Sequence, residues 1–389
     1  MPPSSEPILH TTDMAADVAL PSPAFEAKYG EFRRTILTAY RARRPLRALD
    51  ALVSSVEDAA AGAALEGPVD RPVFVLGNFR SGTTFLEQVL ARHPSLGHFT
   101  YLTSAFPRSP RFAAAMGHII PGFMATMIPP HQPNMVFNGA SPFEAESIWR
   151  FCRQNPWTDH ATDVLDADFS DPPFERLLRR IVKKQLRHQA RPRFVHKNPA
   201  NTVRLGFLAR VFPDARFVYI VRHPLRMLRS QLDMERMFRH LFPVGDGRDY
   251  GEAFSNLWLP RALCFLRTSR HAEIARAFAR EPPLGLAMSI TDVHHECERM
   301  IEAGGLEGRV LTLRYEDLVA DFEREMSRVL SFVGLDDDAG RALARAQRES
   351  VDHGLVSQRA PMPSFGADVS SALRPLFDRF GYGARDAGV

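Results

Sequence analysis

Four apolar residues, Val73–Leu76, lead directly into a glycine-bounded loop and then into a helical pattern. Gly77 and Gly82 bound the loop with the spacing GxxxxG, and the helical pattern begins near Thr83 and ends before His93. A short strand, a glycine loop and a helix in this order let backbone N–H groups and the helix N-terminus cradle an anion. The segment therefore predicts an anion-binding loop at the end of a buried strand.

The loop departs from the nucleoside-triphosphate motif at one informative position. Thr83 stands where that motif has the lysine that binds the β- and γ-phosphates. A later apolar strand ends in Arg222 rather than in the acid that holds magnesium, and Arg80 supplies positive charge inside the loop. Both features disfavour a kinase or another P-loop NTPase, an alternative that a magnesium requirement would favour.

A second cationic segment follows the strand predicted at Arg216–Val221. Arg222 comes directly after this strand, and Ser230 lies eight residues further on, where the next helix turns it back. The guanidinium is a planar fork that can bind a phosphate through two hydrogen bonds. Because open α/β sheets bind ligands at the carboxyl ends of their strands, both segments are expected at the ligand-binding edge.

Short apolar strands alternate with amphipathic helices along the chain. This order predicts an α/β fold with a P-loop-type central parallel sheet flanked by helices and a helical and loop insertion at 97–170. The predicted strands are Val73–Leu76, Phe194–His196, Arg216–Val221 and Val310–Leu313. Further helices are predicted at 24–65, Pro142–Phe151, Pro172–Gln189, Ala200–Val211, Pro224–Phe238, about 250–279, 285–303, 319–332 and 338–348.

Charge limits the class of partner. The 389 residues have a formal charge of +4 and a pI near 9.1, and only four residues are lysines. Long basic runs of the kind that bind a nucleic-acid backbone are absent from the sequence. A small polyanionic ligand suits this balance better than nucleic acid.

The cysteines and the hydropathy pattern indicate the cellular compartment of the protein. Three cysteines without close pairing are typical of a reducing environment, and His294, His295 and Cys297 fit a helix face better than a metal site. Residues 1–20 lack the apolar run of a signal peptide, and no stretch reaches the ~20 apolar residues of a membrane span. We expect a cytoplasmic protein without a metal, and contact with a membrane surface stays open.

The two anion-binding segments resemble those of a known family. Arg80–Thr84 resembles the 5′-phosphosulfate loop of the sulfotransferases, and Arg222 with Ser230 resembles their 3′-phosphate site. The resemblance extends over about residues 71–335 and points to the large, mostly bacterial branch that includes the tyrosylprotein sulfotransferases. The further stretches that carry it are His196–Pro199, Phe212–Ala215 and Leu313–Leu318.

The resemblance implies transfer of a sulfuryl group from 3′-phosphoadenosine 5′-phosphosulfate (PAPS) to an acceptor hydroxyl or amine, with 3′,5′-adenosine diphosphate as the second product. It implies that Tyr315 lies against the nucleotide and that Lys197 reaches the transferring sulfate. Arg80 and Lys197 would neutralise charge in an in-line transfer catalysed by positioning and charge stabilisation. The implied cofactor-binding residues are Arg80, Ser81, Gly82, Thr83, Thr84, Arg222, Ser230 and Tyr315.

The catalytic base is where the sequence departs from the tyrosylprotein sulfotransferases. Those enzymes carry a glutamate just after the His-Pro that follows the first helix, and no acid follows it here. Pro142–Glu146 resembles a Pro-Gln-Glu-Asp-Glu element of bacterial sulfotransferases that also lack that glutamate, which makes Glu144 and Glu146 the first candidates. Two residues apart at a helix start, they cannot share one face, so one should enter the cleft and the other should cap the helix or face solvent. His196 is the second choice and His98 the third.

The resemblance also divides the chain. We place an N-terminal helical extension at 1–70, a sulfotransferase domain at 71–350 with the acceptor-site insertion at 97–170, and a C-terminal segment at 351–389 that packs on or closes over the cofactor site.

A hydrophobic or lipid-like small-molecule acceptor is expected because methionines and other apolar residues gather at 112–137, and methionine suits adaptable pockets. Packing of the insertion onto the core explains these residues equally well. A catalytically silent nucleotide-binding protein on the same fold stays an alternative.

Overall fold

The computed structural model describes residues 45, 47–119, 138–154, 162–241, 266–346 and 364–383. In these residues one parallel sheet has the strand order β2-β3-β1-β4-β5. The central strand β1 pairs with β3 on one side and β4 on the other, so the loop that follows β1 opens between them. The strands are β1 (Val73–Leu76), β2 (Leu96–Gly97), β3 (Arg193–Lys197), β4 (Arg216–Val221) and β5 (Val310–Arg314).

Helices cover both faces of the sheet. In chain order they are α1 (47–61), α2 (Thr83–Leu90), α3 (Tyr101–Ala105), α4 (Pro110–Ile119), α5 (Pro172–Gln189), α6 (Leu205–Val211), α7 (Pro224–Leu241), α8 (His271–Arg280), α9 (Pro282–Ala303), α10 (Tyr315–Ala320), α11 (Phe322–Phe332), α12 (Asp338–Ala346) and α13 (Ala367–Phe380). Short 3₁₀ helices occupy Gly62–Leu65, Glu146–Phe151, Pro199–Val203 and Glu307–Arg309.

The alternation of side chains along β1 creates two cores. Phe74 and Leu76 point to one face, where they join an aromatic-rich cluster that includes residues of α5 and α6. Val73 and Val75 point to the other face and pack with residues of α2, α10 and α11. All four side chains are at most 2% exposed, which explains why the strand is apolar without a polar face.

The predicted α/β architecture is confirmed, and the bounds predicted for β1, β4 and α5 match those observed. Helix α5 begins where the Asp171 side chain accepts a hydrogen bond from the Phe174 N–H, and prolines follow at its first two positions. It ends at Ala190, which is left-handed with φ 52°. Local signals at both ends therefore define this helix.

Several other predicted helices and strands differ from the observed secondary structure. The single helix predicted at Ala200–Val211 is a 3₁₀ helix followed by α6, and the one predicted at Pro142–Phe151 is a 3₁₀ helix that begins only at Glu146. The sequence did not predict β2, α3 or α4. Residues 242–265, in which part of another predicted helix falls, lie outside the described residues, as do 1–44. In the described part of the chain, no helix combines the length and the apolar character needed to cross a bilayer.

Candidate active site

The loop between β1 and α2 has an unusual backbone. Gly77 and Gly82 have φ of 145° and 99°, and Arg80 between them has φ 68°. A Cβ at Gly77 would lie 2.6 Å from a backbone oxygen of β4, and a Cβ at Gly82 would lie 2.4 Å from the Tyr315 ring. Only glycine is tolerated at these two positions. Helix α2 then begins at Thr83, and its N-terminus favours a bound anion.

Hydrogen bonds fix the loop from inside. The Asn78 side chain accepts from the Phe79 N–H at 2.7 Å, and the Ser81 hydroxyl donates to the Asn78 carbonyl at 2.7 Å. Thr202, from the segment after β3, accepts from the Gly77 N–H at 2.8 Å. Asn78 Nδ2 is buried and has no hydrogen-bond partner among the described residues. The loop thus holds a rigid shape and keeps a buried amide donor that a ligand could satisfy.

The second cationic segment meets this loop directly. Arg222 Nη1 donates to the Arg80 carbonyl at 2.9 Å, and Arg80 Nε donates to the Ser230 hydroxyl at 2.8 Å. The Arg222 guanidinium lies 4.8 Å from the centre of the Tyr315 ring, the same ring that packs on Gly82. Two guanidinium groups, a hydroxyl and a helix N-terminus converge here, and this donor set suits phosphate and sulfate groups.

Two further residues of α7 belong to this surface, and sequence reasoning missed both. Arg226, one turn after Arg222, is 8% exposed, and burial followed by the Arg222 charge lowers its pKa. Gln231 Nε2 donates to the Phe79 carbonyl at 2.9 Å. The signal available for Arg226 was its spacing from Ser230, since residues four apart on α7 share a helix face.

The C-terminal segment contacts the edge of the same surface. Glu316 accepts a hydrogen bond from the His223 N–H at 3.0 Å and another from the Tyr382 hydroxyl at 2.9 Å. The rings of His223 and Tyr382 lie 5.2 Å apart. Tyr382 therefore contacts the neighbours in sequence of Arg222 and Tyr315. Closure of residues 351–389 over a cofactor stays a prediction, and 351–363 and 384–389 lie outside the described residues.

Lys197 brings an ammonium group to the same edge of the sheet. It is the last residue of β3 and pairs with Val75, two residues before the loop begins. Its side chain is 3% exposed and forms an ion pair with Glu144, whose side chain is 15% exposed. The structure therefore joins Lys197 to Glu144, one of the two predicted base candidates, with the acid reaching solvent and the lysine enclosed.

Glu146 has a different environment from Glu144. The Arg204 guanidinium donates to both of its carboxylate oxygens, at 3.0 and 2.7 Å, and Asn198 donates to it as well. The Glu146 and Arg204 side chains are 1% and 2% exposed, and Arg204 stacks on Trp149 at 4.0 Å. The expectation that the second acid would cap a helix or face solvent is wrong, because a non-local arginine buries it in the core.

His196 has both ring nitrogens occupied. With the Nε2 proton donated to the Glu144 carbonyl at 2.9 Å, Nδ1 accepts from Asn201 Nδ2 at 3.3 Å. Burial lowers the pKa of the imidazole to about 3, so it is neutral at ordinary pH. A neutral imidazole without an available lone pair holds the Glu144 backbone in place but is poorly suited to accept a proton.

His98, the third candidate base, and two apolar residues of the insertion have structural contacts away from Lys197 and Glu144. The His98 ring bonds the Ala140 carbonyl at 3.1 Å, and burial lowers its pKa. Phe112 and Met116 pack against the cluster formed by α3 and α4. These two residues of the segment at 112–137 therefore pack the insertion, and 120–137 lie outside the described residues.

An acid that the sequence did not reveal completes the cluster. Glu87, on α2, is 1% exposed, and its Oε1 accepts a hydrogen bond from the Lys197 backbone N–H at 2.8 Å. Burial raises the pKa of this carboxyl to about 8, and the Glu144 charge contributes to the rise. Its place beside Leu86, Val89 and Leu90 in the apolar half of α2, one turn after Thr83, was the only sequence signal.

The fold and this site define an α/β protein with a cluster of cationic and hydrogen-bond donor groups at the carboxyl edge of its sheet. The sequence profile described as the Sulfotransferase family matches residues 72–271, more than half of the chain. The chain belongs to the Sulfotransferase family, and it is a sulfotransferase.

Individual proteins agree with this assignment. The chain is similar to the omega-hydroxy-beta-dihydromenaquinone-9 sulfotransferases of Mycobacterium bovis and Mycobacterium tuberculosis, each 25% identical over 350 residues that span 80% of this chain and 76% of the relative. Among solved structures, sulfotransferase STF9 from Mycobacterium avium superposes with a TM-score of 0.51 at 16% identity, covering 94% of this chain and 87% of the other. The structural likeness supports the fold.

Proposed function

We propose that the protein transfers the sulfuryl group of PAPS to the hydroxyl group of a hydrophobic, lipid-like small molecule. The observation that carries this proposal is the junction of Arg80 with Arg222 and Ser230, which joins two anion-binding segments through direct hydrogen bonds. A donor with a 5′-phosphosulfate and a 3′-phosphate needs two such segments side by side.

The residues divide between the two ends of the donor. Arg80–Thr84 and the N-terminus of α2 would bind the 5′-phosphosulfate, and Arg222 with Ser230 would bind the 3′-phosphate. Ser230 accepts from Arg80, which leaves its hydroxyl hydrogen to donate to a phosphate oxygen. Tyr315, packed on Gly82 and beside Arg222, would contact the nucleotide. When bound, PAPS supplies the activated sulfuryl group.

Glu144 is the base in this proposal. Of the predicted candidates it is the acid that is both partly exposed and adjacent to Lys197, whereas Glu146 is buried against an arginine and His196 is neutral with occupied nitrogens. Glu144 would take the proton of the acceptor hydroxyl as the oxygen attacks. Lys197 and Arg80 would stabilise the charge that develops on the sulfuryl oxygens and the leaving phosphate.

Two observations support an apolar acceptor. The relatives described above are named for a hydroxylated dihydromenaquinone, which is an apolar alcohol. In this chain the rings of Tyr101 and Phe143 lie with centroids 4.0 Å apart at an angle of 45°, and Phe143 precedes Glu144. Burial raises the pKa of the Tyr101 phenol, and the Glu144 charge adds to the rise. An aromatic wall beside the base suits an alcohol with a hydrophobic body.

The test is transfer of labelled sulfate from PAPS to farnesol, glucose and a tyrosine-containing peptide in the presence of EDTA. We expect farnesol to be sulfated, Arg80→Ala to lose most of the rate, and Arg92→Ala, an exposed arginine just after α2, to retain it. Sulfation of glucose or peptide alone would contradict the acceptor class. A strict requirement for magnesium, or PAPS binding without transfer to any acceptor, would contradict the proposed reaction.

A further inference from the structure

Glu87 is a buried acid at the centre of the site, and the reaction outlined above does not use it. It lies on α2, whose N-terminus forms part of the anion-binding loop, and 1% of the residue is exposed. Its carboxyl accepts the backbone N–H of Lys197 at 2.8 Å, which ties α2 to the end of β3. A carboxyl placed in an apolar core is costly unless it is paired or uncharged.

Three ionisable side chains from different parts of the fold interact electrostatically with this carboxyl. The Lys197 ammonium comes from β3, Glu144 from the segment before the 3₁₀ helix at 146–151, and Tyr101 from α3. Burial raises the pKa of Tyr101, and the charges of Glu144 and Glu87 add to the rise, so the three groups are electrostatically coupled. If both carboxyls were ionised, two anions would compete for one enclosed ammonium.

We propose that Glu87 is a positioning residue that acts in its uncharged form: it anchors the Lys197 backbone and, by keeping its proton, leaves the Lys197 ammonium to be shared between Glu144 and the sulfuryl oxygens. This inference rests on the proposed roles of Lys197 and Glu144.

Ionisation of Glu87 should then slow the reaction. A second carboxylate beside Lys197 would draw the ammonium away from the sulfuryl group and repel an anionic donor. Because burial raises the pKa of Glu87 to about 8, the loss should begin near that pH. Glutamine at this position would keep an oxygen acceptor for the Lys197 N–H and could not ionise.

The experiment compares the pH dependence of kcat between pH 5.5 and 9.5 for the wild type and Glu87→Gln. It uses PAPS and whichever of farnesol, glucose and the tyrosine peptide turns over fastest. The wild-type rate should fall about tenfold per pH unit above pH ~8, as expected for loss of one essential proton. Glu87→Gln should be within about threefold of the wild type at pH 6.5 and should lack the alkaline fall. The control is Glu175→Gln, which alters a buried acid of α5 bonded to Arg210. This variant should keep the alkaline fall in rate.

An unchanged alkaline fall in Glu87→Gln would overturn the inference, as would loss of turnover at every pH in a variant that still binds 3′,5′-adenosine diphosphate. If Glu87→Gln does not fold, Glu87→Asp tests the same point: the midpoint of the fall should move, and an unmoved midpoint contradicts the proposal. Failure here is distinct from failure of the proposed function, because Glu144→Gln would still abolish most turnover.

Discussion

The contact between Arg222 and the loop gives the first prediction at the scale of single residues. Replacing Arg222 with alanine should weaken binding of 3′,5′-adenosine diphosphate by about 1.5–3 kcal/mol, since a charge-assisted bidentate contact is lost, and should leave 5′-AMP nearly unaffected. Calorimetry with both nucleotides measures this. Arg229→Ala is the matched control, because Arg229 lies on α7, the helix that follows Arg222, is 58% exposed and pairs with Asp233. Equal losses for the two nucleotides would contradict the 3′-phosphate assignment.

The two acids of the Pro142–Glu146 segment should separate catalysis from stability. Glu144→Gln should lower turnover by about 10²–10⁴-fold with nucleotide binding retained, because it removes the base. Glu146→Gln should instead lower the free energy of unfolding by about 3–5 kcal/mol, because it leaves the buried Arg204 charge unpaired. Single-turnover rates and urea unfolding of both variants check the pair. Normal turnover in Glu144→Gln would refute the assignment of the base.

Residues such as these also mark how far the sequence could predict the site. Arg80, Arg222 and Ser230 were predictable because strand ends converge at one edge of a parallel sheet. The ion pair between Glu146 and Arg204 could not be predicted, since the two residues are 58 positions apart and nothing local signals the pairing. Glu87 was missed for a related reason: an acid in an apolar helix pattern has a function only once its neighbours are known.

Among the helices and strands, the length of an element decided whether the sequence could predict it. Strand β1 and helix α5 carry complete signals, with an apolar run in one and caps at both ends in the other. Strand β2 has two residues, too few for any periodicity, and it exists because Leu96 and Gly97 pair with β3. The 3₁₀ helix at Glu146–Phe151 follows a left-handed Ala145, a backbone conformation that alanine rarely adopts and sequence does not signal.

Helix α13 supplies the prediction at this scale. Its apolar face packs on α7 and α9, and Leu373 in the centre of that face is fully buried. Leu373→Ala should therefore lower the free energy of unfolding by about 2–5 kcal/mol. The neighbouring Arg374 is exposed, so Arg374→Ala should change it by less than about 0.5 kcal/mol. Chemical denaturation compares them, and equal stability of the two variants would mean that α13 does not contribute to the core.

For the whole molecule, the buried ionisable groups predict a stability maximum near pH 6.5. His196 and His294 have pKa values lowered by burial from 6.5 to about 3, so each is protonated in the unfolded chain and neutral in the fold between these values. Stability supplied by the two histidines is lost as the pH falls below 6.5. Glu87 has the opposite sign: burial raises its pKa from 4.5 to about 8, so its contribution falls as the pH rises through that range. Each group changes the free energy of unfolding by about 1.4 kcal/mol per pH unit in its window.

Below pH 6.5 the histidines, which include His98 and His188 with pKa values also lowered by burial, oppose the buried carboxyls Glu87 and Glu146, so stability should rise with pH. Between pH 6.5 and 8 the histidines no longer titrate, and the raised pKa of Glu87 makes stability fall. Urea unfolding at half-unit steps from pH 5 to 9 measures both slopes. Glu87→Gln should flatten the fall above pH 6.5 and steepen the rise below it, because one opposing group is gone. Glu281→Gln, which alters an exposed acid between α8 and α9, should leave the curve unchanged. A wild-type curve still rising at pH 8 would contradict the buried, protonated state of Glu87 on which the alkaline loss of turnover depends.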